Sequence, residues 1–370
     1  MPRPVEPDAV QPGGGFVHTF LPGRVVFGAG TLDRVGAEVE ALGVRRVLVI
    51  ATKSARAAAD AVESQLGDRF AGRIDGVTQH VPTELADQAR TKAHTTQADA
   101  VIAIGGGSAT GLAKAIALTS TTSLSQQSTD LVVVAVPTTY SGSEMTAVWG
   151  ETSGEGKVTG VDLGVLPRVV VYDPVLSRGL PLGVTAASVA NAVAHCVEAV
   201  WTPKADPITE MAAVEGLLAL SAGLREVQAA PEDLDARGKL LYGACLAGSA
   251  LAAAGTGLHH KLCHLLGGTY NLPHAETHAA VLPQVTRMNA PAVPQAKARL
   301  EAALGTTDLA AGLFDLFQAA GVPTSLRELG LTEAQAAEAA KAFRPTANPV
   351  PVTEELVREI LSRAWAGTRP

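Results

Sequence analysis

The sequence predicts an α/β domain with a doubly wound, mostly parallel sheet, followed by an all-α C-terminal domain. Three observations carry this. Short apolar, β-branched runs alternate with amphipathic segments as far as residue 172. One of those runs, Leu131–Val136, is apolar without interruption, as befits a strand covered on both faces. After Tyr172-Asp173-Pro174 the strand-like runs give way to long Ala- and Leu-rich stretches.

Taken in order, the predicted strands are Arg24–Phe27, Val47–Ala51, Val101–Ile104, Leu131–Val136 and Val169–Tyr172. The intervening helices are Leu32–Leu42 with Thr31 as N-cap, Ala55–Leu66, Leu85–Gln97 and Ala109–Leu118. Met211–Leu224, Leu234–Ala254 and Leu309–Ala320 read as helices of the second half. The expected organisation is a frayed arm at 1–15, a dinucleotide-binding α/β domain at 16–178 and a helical domain at 179–370.

At 370 residues each of two domains is large enough to bury its own core. A hydrophobic content of 47% against 18% charged excludes a disordered chain, and 4% aromatics leaves Ala, Val and Leu to build the interior. A net charge of -7 speaks against a nucleic-acid partner and requires a local basic pocket for any anionic substrate. Cys196, Cys245 and Cys263 form no CxxC pair and lie in apolar helical stretches, which predicts buried, reduced thiols. Met1–Gly15 lacks the apolar segment of a secretion signal, and no apolar run is read as a membrane span, so a cytoplasmic protein is expected.

Two polar loops follow adjacent strands. Gly105-Gly106-Gly107-Ser108 closes one strand and opens a helix, where glycines admit a pyrophosphate and the helix N-terminus offers free N–H groups. The same glycines would also serve a plain tight turn, with Ser108 as its cap. The GxGxxG fingerprint is absent, so this is not an ordinary Rossmann turn. Pro137-Thr138-Thr139-Tyr140-Ser141-Gly142-Ser143-Glu144 closes the next strand, with Ser141 and Glu144 spaced as a capping box. Ligands of open α/β sheets lie at such strand ends.

Six of the nine histidines fall between residues 195 and 278. His260/His264 and His274/His278 are i,i+4 pairs, and Asn191/His195 share that spacing. Such a set holds a divalent metal, relays protons or binds an anion. A carboxylate at 191 would complete a hard-metal site, and an amide stands there. His259 and His278 read equally as packed core. Lys157 and Lys261 are candidates for substrate carboxylates or solvated lysines, and Met145 and Trp149 for pocket wall.

These motifs in this order resemble the iron-containing alcohol dehydrogenase superfamily, whose architecture is shared with dehydroquinate synthases. Within it, Arg24–Gly28, Gly107–Lys114, Thr139–Thr146, Leu258–His264 and Asn271–His278 are most similar to the maleylacetate reductases. The resemblance covers nearly the whole chain after the N-terminal arm. It implies NADH or NADPH bound at Gly105, Gly106, Gly107, Ser108, Thr138, Thr139, Tyr140 and Ser143. Thr52 stands where NAD-selective relatives carry an aspartate, which would admit both cofactors.

Metal-dependent relatives hold iron or zinc with an aspartate and three histidines, matching Asn191, His195, His260 and His274 here. The amide lowers metal affinity, so a metal-free pocket is expected; if a metal is present, His195, His260 and His274 would hold it. The implied reaction is reduction of maleylacetate to 3-oxoadipate in aromatic catabolism. His195, His260 and His274 would stabilise charge on the ketone oxygen, His264 or His278 would carry the proton, and Asn191 would contact substrate. The resemblance further implies a homodimer and a small dicarboxylate or enone substrate. Arginines that such reductases carry are replaced here by Val161, Gly164 and Val350, which opens the site to less charged enones. Two other readings stay open: a metal-dependent alcohol dehydrogenase and a dehydroquinate-synthase-like lyase or cyclase.

Overall fold

The computed structural model describes residues 16–78, 81–118, 131–154 and 156–370, with Lys157 described by its backbone alone. The predicted arm at 1–15 lies outside the described residues. The first half runs β1 (Arg24–Phe27), α1 (Val35–Ala41), β2 (Val47–Ala51), α2 (Arg56–Leu66), β3 (Phe70–Ile74), α3 (Thr83–Thr95), β4 (Ala100–Gly105) and α4 (Gly107–Ala117). It continues through β5 (Val132–Pro137), the hairpin β6 (Val148–Ser153) and β7 (Gly156–Val161), and β8 (Val169–Tyr172). Six strands pair in the order β1-β8-β5-β4-β2-β3, every adjacent pair parallel. The sheet is buried on both faces: Val134 and Val136 pack into the layer under α2, and Val133 into the layer under α4.

Among the described residues everything after β8 is helical. α5 (Leu182–Ala199), α6 (Pro207–Ala229), α7 (Leu234–Ala254), α8 (Leu258–Tyr270) and α9 (His274–Asn289) are followed by α10 (Pro294–Leu304), α11 (Leu309–Ala319), α12 (Glu333–Ala342) and α13 (Glu354–Ala366). The helical core reaches into the sheet, taking in Ala135, Tyr140, Val170 and Tyr172. Where α7 crosses the loop after β5, backbone meets backbone: a methyl on Gly248 would lie 2.3 Å from the Gly142 carbonyl oxygen.

Several local expectations need correcting. Thr31 does not cap α1. Its hydroxyl donates to the carbonyls of Gly28 and Tyr172, and Gly30 at φ 79 precedes a short 3-10 turn. Asp173 does the capping, accepting N–H bonds from Gly30, Leu32 and Val175. Ser141 and Glu144 form no capping box, because only a 3-10 turn Ser143–Met145 follows, and Glu144 instead accepts from the Tyr172 hydroxyl at 2.8 Å. β3 escaped prediction because, in Phe-Ala-Gly-Arg-Ile, only the ends are large and apolar. The β6–β7 hairpin was hidden by its Gly- and Thr-rich composition. Cys196 and Cys263 are buried, whereas Cys245 is only half-buried.

Leu182–Ala199 and Pro207–Ala229 are long and apolar enough to cross a membrane by length and composition, contrary to the sequence reading. Their most apolar windows are 78% and 50% buried within the protein.

Candidate active site

The glycine turn sits at the C-terminal end of β4, and each glycine is required by a neighbour. A Cβ on Gly105, where φ is +153°, would lie 2.7 Å from the Thr52 methyl; on Gly106, 3.0 Å from Thr139; on Gly107, 3.2 Å from the Ser141 hydroxyl. α4 starts at Gly107 with no side-chain cap, so Ser108 lies inside the first turn rather than capping it. Gly106, Gly107, Ser108, Thr138, Thr139 and Thr52 are half-buried and line one crest of strand ends, while Gly105 is buried beneath them.

The loop after β5 is held from below. Lys114, fully buried on α4, donates to the Ser143 carbonyl at 2.7 Å, the Val148 carbonyl at 2.9 Å and the Thr146 hydroxyl at 3.1 Å. Burial pulls its ammonium down to about 7, opposed by the Glu144 carboxylate. Glu144 is itself raised by burial. Tyr140 points away from the crest: its ring is fully buried and its hydroxyl accepts from Arg237 at 3.1 Å, which removes its side chain from the cofactor set. Ser143 faces Lys114 through its carbonyl.

Helices α5, α8 and α9 bring all six histidines together. His195 stacks on His260 at 5.1 Å between ring centroids, His260 lies 4.8 Å from His278, His278 4.6 Å from His274, and His274 stacks on His264 at 5.9 Å. Asn191 sits one turn before His195, its Nδ2 donating to the Ser141 carbonyl at 3.3 Å. Its Oδ1, His195 Nδ1, His260 Nε2 and His278 Nε2 are buried without a protein partner.

The set divides by burial. His264 is exposed and His274 half-buried. Both line a cavity of about 220 Å³ that α8 and the following Asn271 share with Thr152, Ser153 and Gly156 of the hairpin. His278 and His259 are fully buried behind them, joined by a 2.8 Å hydrogen bond between His259 Nε2 and His278 Nδ1. Cys263 lies beside this pair, and the three ligand atoms fall within 4.8 Å. That bond satisfies one nitrogen of each ring, while His278 Nε2 stays without a protein partner. Burial, then the neighbouring imidazoles, holds His195 and His278 well below the ordinary histidine range, and burial takes His259 down to about 3.

One residue the sequence reading missed stands at the centre. Glu198, fully buried on α5, lies 2.5 Å from His260 Nδ1 and accepts the His259 N–H at 2.6 Å. Burial opposes its charge, but the His260 imidazole and the N–H groups around it bring the carboxyl down to about 2. Its sequence signal was available: it is the one charged residue of an apolar helix, seven positions after Asn191.

Other predicted residues fall elsewhere. Lys261 is exposed and donates to the Thr346 hydroxyl, outside the cavity wall. The side chain of Lys157 lies outside the described residues. Met145 lines a separate cavity of about 60 Å³ beside β1, and Trp149 packs over Gly160 across the hairpin. Val161 is 76% exposed, Gly164 follows an Asp162 turn, and Val350 is half-buried.

Residues 22–174 match the iron-containing alcohol dehydrogenase model, and residues 185–365 match the C-terminal model of the Fe-containing alcohol dehydrogenase family. The chain is 44% identical to a maleylacetate reductase of Pseudomonas sp. (strain P51), over 96% of this chain and 99% of that protein. It superposes on the crystal structure of maleylacetate reductase from Agrobacterium tumefaciens with a TM-score of 0.90 at 40% identity, covering 96% of this chain and 99% of that one. The maleylacetate reductase structure from Rhizobium sp. strain MTP-10005 gives 0.90 and 40%, covering 96% and 100%. The chain belongs to the iron-containing alcohol dehydrogenase family.

Proposed function

We propose that this protein is an NAD(P)H-dependent reductase of the maleylacetate reductase type, converting maleylacetate or a substituted analogue to 3-oxoadipate. The observation that carries the reading is Asn191, an amide bonded to the Ser141 carbonyl at the head of an otherwise complete histidine set.

The donor set is weaker for iron or zinc than that of metal-dependent relatives, because Asn191 brings no negative charge where they carry an aspartate. Asn191 Oδ1, His195, His260 and His274 are all neutral ligands, and the nearby carboxylate, Glu198, is already bonded to His260 and to backbone N–H groups. No step is assigned to a metal, and the missing carboxylate counts against the alcohol dehydrogenase and lyase readings.

The dinucleotide fits the crest. The glycine turn leaves the uncapped N-terminus of α4 beside Thr138 and Thr139, an arrangement suited to a pyrophosphate. Thr52, rather than a carboxylate, ends β2 and is followed by exposed Lys53, so both NADH and NADPH are accepted. When bound, the reduced nicotinamide supplies hydride to the substrate double bond. His195 and His274 steady the charge that develops on the ketone oxygen, while His260, its Nδ1 hydrogen turned to Glu198, presents Nε2 to the site as an acceptor. His264, exposed on the cavity wall, delivers the proton, whereas His278 is buried behind His274 and serves to pack it.

The functional unit is a cytoplasmic homodimer joined through β1. This is an edge strand, and one of its faces presents Val25 and Phe27, each 43% exposed. NADH and NADPH oxidation with maleylacetate, before and after chelation and beside metal analysis, tests the function. Activity surviving chelation is expected. Inactivity with both cofactors overturns the substrate, and loss on chelation overturns the metal-free site.

A further inference from the structure

We propose that Glu198 is the positioning residue of this site: a single carboxylate that caps α8 from across the fold and fixes which nitrogen of His260 faces the site. The kinetic part rests on the reductase reading above.

The side-chain caps of α6, α7 and α11 are local. Asp206 caps α6, Asp233 caps α7 and Asp308 caps α11, each accepting N–H bonds from its own first turn. α8 has no such cap, because Gly257 precedes it. The oxygens of Glu198 take that place from α5, accepting the N–H of His259 at 2.6 Å and of His260 at 3.3 Å. Gly257 is needed for this approach, since a Cβ there would lie 3.1 Å from Glu198 Oε1. A cap alone would not call for a fully buried carboxylate from another helix, because an aspartate at 257 could do the same work in place.

The second bond of the same group explains the arrangement. Glu198 Oε2 lies 2.5 Å from His260 Nδ1. A carboxylate only accepts, so Nδ1 carries the hydrogen and Nε2 is left facing the site as an acceptor. Nε2 is the nitrogen that lies buried without a protein partner, on a ring stacked against His195. Glu198 thus sets the place of α8, the rotation of the ring and its tautomer together. Because Glu198 touches neither cavity nor crest, it acts through His260.

Glu198→Gln separates capping from tautomer control. The glutamine oxygen still accepts the His259 N–H, while its NH2 group faces Nδ1 as a donor and drives the hydrogen to Nε2. We expect a folded variant with unchanged KM for NADH and kcat on maleylacetate lowered about 10²- to 10⁴-fold. Nitrogen-15 spectra of histidine-labelled protein should show His260 changing from the Nδ1–H to the Nε2–H form. Wild-type kcat in a folded variant, or an unchanged His260 tautomer, overturns the proposal. Should the variant fail to fold, the wild-type spectrum still decides, because His260 without hydrogen on Nδ1 overturns it. If wild-type enzyme does not turn over maleylacetate, the reductase reading falls while the spectra continue to judge Glu198.

Discussion

The side-chain nitrogen of Asn191 donates to the carbonyl oxygen of Ser141 at 3.3 Å, leaving the amide oxygen buried and without a protein partner. An aspartate there would set an oxygen against that carbonyl. Asn191→Asp is expected to cost about 1–3 kcal/mol without metal and to regain stability when zinc is added. Thermal scans with zinc and with chelator check this. A wild-type protein that zinc stabilises as strongly as the variant would contradict a site built for an amide.

His264 is the most exposed of the six clustered histidines and, on the proposed reaction, the proton carrier. Replacing it with Gln removes the proton carrier while keeping a polar side chain of similar size on the cavity wall. The expected result is kcat lowered by about 10²-fold or more, with NADH affinity intact and partial rescue by imidazole in the buffer. Unchanged kcat would assign the proton to another group.

Stability should fall early in acid. His195, His259 and His278 are held below the usual range, His259 to about 3, so the unfolded chain takes up protons first once pH drops below about 6.5. Their contribution is whole above that value and is lost progressively toward the folded-state values, each ring adding up to ~1.4 kcal/mol per pH unit. Glu198, at about 2 when folded, keeps its contribution until pH falls below about 4.3 and loses it toward 2. Urea midpoints at pH 7.5, 6.5 and 5.5 measure the histidine part, and a flat series would refute it.

Lys114→Met fills the same space but strips the Ser143 and Val148 carbonyls and the Thr146 hydroxyl of their donor. A loss of about 2–4 kcal/mol is expected, together with weaker NADH binding, because the loop it holds continues from Thr138 and Thr139. Nucleotide titration by fluorescence and a melting curve suffice. A variant as stable and as tight as wild type would show that the loop holds itself.

Much of this was legible in the sequence because its causes are local. Strands β2, β4, β5 and β8 are runs of Val, Ile, Leu and Ala, and α7 ends where Gly255 breaks the Ala-rich stretch. The i,i+4 histidine pairs did meet on shared helix faces. What escaped depends on distant partners. Glu198 meets residues about sixty positions away, Tyr140 is claimed by Arg237, and Lys261 by Thr346. The hairpin wall of the cavity was hidden because its alternation is carried by Thr, Gly and Glu rather than by large apolar residues.

The backbone contact between Gly248 and Gly142 fixes one dimension of the enzyme. It acts as a gauge block between the loop after β5 and α7, the helix on which histidine-bearing α5 packs, with no compressible side chain to take up slack. On the proposed reaction, the spacing across which hydride passes is held in part by glycine against glycine, whichever substrate enters. Altering substrate range means leaving that spacing alone and recutting the far wall, at Thr152, Ser153 and Asn271.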